Sequence, residues 1–185
     1  ASGRVMKGVI MQGPAEIWLL SANSFEATLG QVGEDQWAAP TGCGDWTVRD
    51  LVDHALFWQC NLASLVGAQV TPEDGWDTIK AAIVAGLENP SALDGAIAAG
   101  PMAGMPKHQG MGLATADILV HGWDLARAIG ADDTLPAAAV EAVHMGLSQA
   151  PEEMLRNPQL FGPIVEVPAD ASAQDKLIGF VGRQP

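Results

Sequence analysis

Three side chains carry the chemistry this sequence offers: His54, Asp117 and His121. His54 follows Leu51 by three residues and precedes Trp58 by four, which sets its imidazole on the apolar, inward stripe of a helix. His121 holds the same place between Ile118 and Leu125, and Asp117 stands one turn behind it, so carboxylate and imidazole leave one helical face side by side. A buried carboxylate is costly unless it is paired or metal-bound. Two neutral imidazoles and one carboxylate make a three-ligand set with open positions for water or substrate, the form of a catalytic zinc site. The same set suits nickel or iron. Zinc is expected first, because such a site binds it tightly and it needs no redox partner.

Each of these residues also has a plainer reading, as a hydrogen-bonded core histidine or a carboxylate near a helix start. His144, between Val140 and Leu147, competes for a ligand position, and His108 is a candidate acid or base reaching in from a loop. Asp124, three after His121, and Asp50, four before His54, are placed to accept the second ring N–H of their histidines. Asp124 can equally pair with Arg127 at the surface. Cys43 has no His or basic neighbour in sequence to lower its pKa and reads as structural. Cys60 lies roughly 120° round the helix from His54 and cannot share its ion. The six tryptophans read as core and loop anchors. No Walker loop, no strand-linked GxGxxG and no G-x-S-x-G occurs, so nucleotide chemistry has no support.

These side chains need helices to hold them. Over 15–32 the apolar residues Trp18, Ala22, Phe25, Leu29 and Val32 step by four and three, which predicts a first helix. Residues 33–45 read as a loop with Pro40, Gly42 and Gly44. Thr47 and Asp50 then form a capping-box-like start for a second helix reaching about Gly67. A turn at 70–75 leads to a shorter helix over 76–87, and 92–99 is expected as a further helical piece. Residues 101–112, with three Gly and two Pro, read as an irregular connection shaping a pocket mouth. A fourth helix is expected from about Leu113 to Ile129, closing on Gly130, and a last long one from Pro136 through Leu147 towards Leu155. The tail over 161–168 reads as extended across the bundle and 173–181 as a closing turn. Residues 1–14 are expected as a flexible N-terminus or cloning remnant, 15–160 as the metal-binding bundle and 161–185 as the packed tail. The result is an all-α, up-and-down four-helix bundle with one or two short extra helices.

Composition narrows the partners. The 185 residues carry 22 Asp and Glu against 9 Lys and Arg, a formal charge of -13, with 48% apolar residues. Such a chain packs as a single globular domain. Its acidity argues against nucleic acid and anionic membrane surfaces and points to a small-molecule partner. No stretch offers the roughly 18 apolar residues of a membrane span. Two cysteines and no export signal suggest a reducing cytoplasm. Apolar bundle faces leave room for a homodimer.

Two long motifs also resemble a known family. Residues 40–54, reading PTGCGDWTVRDLVDH, resemble the P-T-x-C-x-D-W-T-V-R-D-L-x-x-H signature of the mycothiol-dependent maleylpyruvate isomerase N-terminal family, within the DinB-like superfamily. Residues 117–127, DILVHGWDLAR, resemble its second element, and the FGP…VPAD tail resembles single-domain actinobacterial members. The resemblance implies a DinB-like bundle that binds a divalent metal, usually zinc, through the positions of His54, Asp117 and His121. It also implies a low-molecular-weight thiol, mycothiol in actinobacteria, as co-substrate. Asp117 stands where the isomerase has Glu, and the additional C-terminal domain of that isomerase has no counterpart in these 185 residues.

The expected activity is therefore that of a metal-dependent, thiol-dependent S-transferase or isomerase acting on a small electrophile. The alternatives are a metal-dependent hydrolase using metal-bound water, and a non-catalytic metal- or ligand-binding module whose site is completed by His144 or Cys43.

Overall fold

The computed structural model describes residues 13–100, 102–156 and 160–185. The expectation for 1–14 thus falls outside the described residues except at Gly13 and Pro14. Among the described residues seven α-helices follow in order: α1 (Pro14–Leu29), α2 (Val48–Leu65), α3 (Gly75–Leu87), α4 (Lys107–Ile129), α5 (Ala137–Ser148), α6 (Glu152–Leu155) and α7 (Ala173–Phe180), with a 3-10 turn at Pro72–Asp74 before α3. Among the described residues there are no strands, only two isolated bridges. No helix there is long and apolar enough to cross a membrane.

α1 to α4 form the all-α, DinB-like bundle. α4 packs against both α1 and α2, and α3 against α2 and, more lightly, α1. Trp18, Phe25, Leu51, Leu62, Ile79, Ile83, Met111 and Ile118 fill its centre, all essentially without solvent contact. One polar side chain runs through this core: Gln59 accepts from Trp18 Nε1 at 2.9 Å and donates to the Ala114 carbonyl at 3.0 Å, linking α1, α2 and α4. A Lys80–Glu26 ion pair joins α3 to α1.

α4 is buried nearly all round between Ala114 and Ala126, because its second face meets another layer. There Leu119, Val120 and Trp123 pack with Ile17 of α1, Val140, Val143 and Leu147 of α5, Leu155 of α6, and Leu177 and Ile178 of α7. A helix apolar on every side belongs in an interior, and here two cores share it.

Local signals were honoured where they are strongest. The Thr47–Asp50 capping box forms, with Asp50 N donating to Thr47 Oγ1 at 3.2 Å and Thr47 N donating to Asp50 Oδ2 at 2.8 Å. Four expectations change. α4 starts at Lys107, not near Leu113, so Gly110 and Gly112 lie inside it. At Gly110 a Cβ would come within 2.9 Å of Ile97 Cδ1, so close packing explains a glycine that propensity alone disfavours. Residues 92–99 are not a helix but an irregular segment tied back by Ile97 N to Met105 O at 2.8 Å. The long last helix is two, because Pro151 has no N–H to continue α5 and instead opens α6. The closing turn is the helix α7, capped by Ser172, whose Oγ accepts from Asp175 N at 3.0 Å. The 161–168 tail is extended as expected, and Val165 N donates to Gly179 O at 2.9 Å, laying it over α7.

Candidate metal centre

α2 and α4 lie side by side, so a histidine early in α2 faces the middle of α4. His54 Nε2 lies 3.3 Å and His121 Nε2 3.4 Å from the same Asp117 oxygen, Oδ1. The two rings stand nearly perpendicular, at 82°, with centroids 5.0 Å apart. One ligand atom from each of the three residues falls within a 4.8 Å cluster. His121 is buried, whereas the side chains of His54 and Asp117 keep 25% and 21% exposure, so the cluster opens to solvent on their side.

The fit to a divalent ion rests on an orphan atom. Asp117 Oδ2 is buried and accepts no hydrogen bond, while both neighbouring imidazoles turn their Nε2 towards the same carboxylate. A buried polar atom without a partner is expensive, and an ion between these three side chains would satisfy it. Zinc, nickel and iron all accept this donor set.

His121 is oriented from behind. Its Nδ1 lies 3.0 Å from Asp124 Oδ2. Burial alone would raise the Asp124 carboxyl pKa, but bonds from His121 and Arg183 prevail and hold it at about 2, so Asp124 is an anion and His121 Nδ1 must be the donor. That leaves the Nε2 lone pair for the cluster, the carboxylate–histidine–metal arrangement of many zinc sites. Asp117 is likewise lowered against its burial by His121 and His54. Burial pushes the His121 imidazole down, yet Asp117 and Asp124 together raise its pKa well above the usual value while no ion is bound.

The loop over 33–47 roofs the site. Thr41 Oγ1 donates to Trp46 O at 2.9 Å and accepts from Cys43 N at 3.1 Å, which fixes Trp46 with its ring centroid 4.6 Å from that of His54 and 6.0 Å from that of His121. Trp58 borders the other side of His54 at 6.4 Å.

The remaining candidates sit elsewhere. His108 is exposed on the first turn of α4, thirteen residues and so roughly 20 Å along the axis from His121. His144 packs its ring 5.3 Å from Phe180 in the outer layer. Asp50 is spent on the α2 cap. Cys60 is a half-buried thiol whose pKa burial, Asp74 and Glu73 push up. Arg127 pairs with Asp133 and lies over Trp123, leaving Asp124 to Arg183. Cys43 is beside the site: its thiol donates to Asp124 Oδ2 at 3.2 Å, and Arg183 Nη2 lies 4.0 Å from its sulfur. Sequence reasoning missed Arg183 entirely, since it lies 59 residues from Asp124 and its neighbours reveal no partner.

Comparisons with known proteins place the chain in a family. The model of the mycothiol maleylpyruvate isomerase N-terminal domain matches residues 18–103, which include His54 and Trp46. Two uncharacterized proteins of Mycobacterium tuberculosis, one from strain CDC 1551 and one from strain H37Rv, are each 30% identical over 174 residues, covering 87% of this chain and 92% of the relative. The chain belongs to the mycothiol maleylpyruvate isomerase N-terminal domain family. Membership in that family implies a mycothiol-related, metal-binding function on a DinB-like fold, and the His54, Asp117 and His121 group is a set that could hold the ion. No solved structure matches the chain.

Proposed function

We propose that this protein is a divalent-metal-dependent thiol S-transferase or isomerase, with His54, Asp117 and His121 as the metal ligands and zinc as the preferred ion. The observation that carries the reading is the convergence of two imidazole Nε2 atoms on a carboxylate whose other oxygen is buried without a partner. A bound ion supplies Lewis acidity that lowers the pKa of a thiol or water in its open position. The chain itself does the positioning. Asp124 fixes the ring of His121, Trp46 walls the cluster on the loop side, and the exposed edges of His54 and Asp117 leave an approach for substrate. Three protein ligands, rather than four, match a site that keeps a position free. The family description supports a mycothiol-type thiol over water in that position, and the proposal adds a small electrophile as its reaction partner.

The test is elemental analysis of purified wild type beside His54→Ala and His121→Ala, followed by assay with a low-molecular-weight thiol and activated alkenes, epoxides or halides. Near-stoichiometric metal that both variants lose, with thiol consumed or a double bond isomerised, is the expected result. Metal-dependent incorporation of water without thiol dependence would make it a hydrolase. Bound metal with neither activity would make it a binding module.

A further inference from the structure

Asp124 is only 2% exposed, and every donor that reaches it comes from a different part of the chain: Cys43 from the loop, His121 from its own helix and Arg183 from beyond α7. We infer that Arg183 is a positioning residue of the metal centre, whose guanidinium clamps the Asp124 carboxylate in the one orientation that presents His121 Nε2 to the ion. This rests on the metal-centre reading above.

The geometry is that of a two-point clamp. Arg183 Nε donates to Oδ1 at 3.2 Å and Nη2 to Oδ2 at 2.9 Å, so both carboxylate oxygens are held and the carboxylate plane cannot turn. Held in this way, Oδ2 also meets His121 Nδ1 at 3.0 Å and accepts from the Cys43 thiol at 3.2 Å. The guanidinium is fixed in its turn, because Nη1 donates to Val181 O at 3.0 Å. The backbone aims it. α7 ends in a Schellman motif, with Arg183 N donating to Ile178 O and Gly182 N to Gly179 O, both at 3.0 Å, and Gly182 at φ 82 reverses the chain so that the next side chain points back at α4. Among the described residues Arg183 is the cation paired with Asp124, and Arg127, close to Asp124 in sequence, is engaged by Asp133 instead.

The experiment compares wild type, Arg183→Met, Arg183→Lys and Val143→Ala, the last loosening the outer layer of packing beneath α7 while leaving Arg183 and its partners in place. Two quantities are read: the zinc dissociation constant by chelator competition, and the Nδ1–H proton resonance of His121 by NMR, followed with and without zinc. Arg183→Met is expected to weaken zinc by roughly 10–100-fold, the usual effect of losing an outer-shell partner, and to broaden or abolish the Nδ1–H signal. Arg183→Lys keeps the charge but not the two-point grip and is expected to fall between. Val143→Ala should lower thermal stability yet leave both readouts within about twofold of wild type. Wild-type affinity and an intact Nδ1–H signal in Arg183→Met would overturn the inference. If that variant does not fold, wild-type values in Arg183→Lys overturn it equally. A wild type that binds no zinc defeats the metal reading instead, and the Nδ1–H signal of the ion-free proteins still decides whether Arg183 positions the ring.

Discussion

His121 Nδ1 and Asp124 Oδ2 lie 3.0 Å apart, three residues along one helix, and this single contact decides which imidazole nitrogen faces the cluster. Asp124→Asn keeps the shape but loses the anion, and it leaves Arg183 facing a neutral amide. Zinc affinity is expected to fall roughly 10–100-fold, measured by chelator competition, with stoichiometry near one retained at saturating metal.

Removing the ion should cost stability in a predictable way. Zinc at one hundred times its dissociation constant adds about 2.7 kcal/mol to the folded state, which for a chain of this size raises Tm by roughly 5–11 °C. Differential scanning calorimetry with and without chelator reads the shift. His54→Ala is expected to show none.

The pH dependence of metal binding follows from His121. In the ion-free protein its pKa is raised well above the usual value, so the imidazole adds stability that is complete below pH about 6.5 and fades as pH rises through the raised value. An incoming ion must displace that proton. Zinc affinity therefore climbs with pH across this window, and calorimetry in buffers of different ionisation enthalpy should detect proton release below the raised pKa.

Asp124 sets a separate acid limb. Its carboxyl lies at about 2 in the folded protein against 3.8 for the unperturbed group, so its contribution is present above pH about 4 and lost as pH falls towards 2. The loss amounts to about 2 kcal/mol. Urea titrations at a series of pH values from about 5 to about 2 should show wild type losing about that much more stability than Asp124→Asn.

Gln59 offers a variant that separates stability from chemistry. Gln59→Ala strands the Trp18 indole N–H and leaves a void, at a cost of about 2–4 kcal/mol. Zinc stoichiometry and affinity should be unchanged, because Gln59 lies more than a turn further along α2 than His54 and touches no ligand.

The periodicity of Trp18, Phe25, Leu51 and Ile118 made the bundle legible from helical geometry, while the inward placement of His54 and His121, with Asp117 one turn behind His121, only suggested the cluster until the family resemblance pointed to the same three residues. Asp124 was visible only as one of two choices, orienting carboxylate or partner of Arg127, and packing decided for the first. Boundaries were misread where tertiary contact outweighs propensity, as at Gly110, whose missing side chain makes room for Ile97. Arg183 and the spatial role of Cys43 were not legible at all, since only the folded chain brings residues 43, 124 and 183 together.

α4 serves two cores at once, and that has a consequence for motion. Residues 114–126 are buried at every position but Asp117, so their backbone amides should exchange with deuterium chiefly through global unfolding, while α3, which meets the bundle on one face, exchanges by local opening. Asp117 and His121 thus ride on the slowest-breathing segment of the molecule. Whatever movement accompanies capture or release of an ion therefore falls to the opposite wall, the loop over 33–47 and the first turns of α2, rather than to the helix that supplies two of the three ligands.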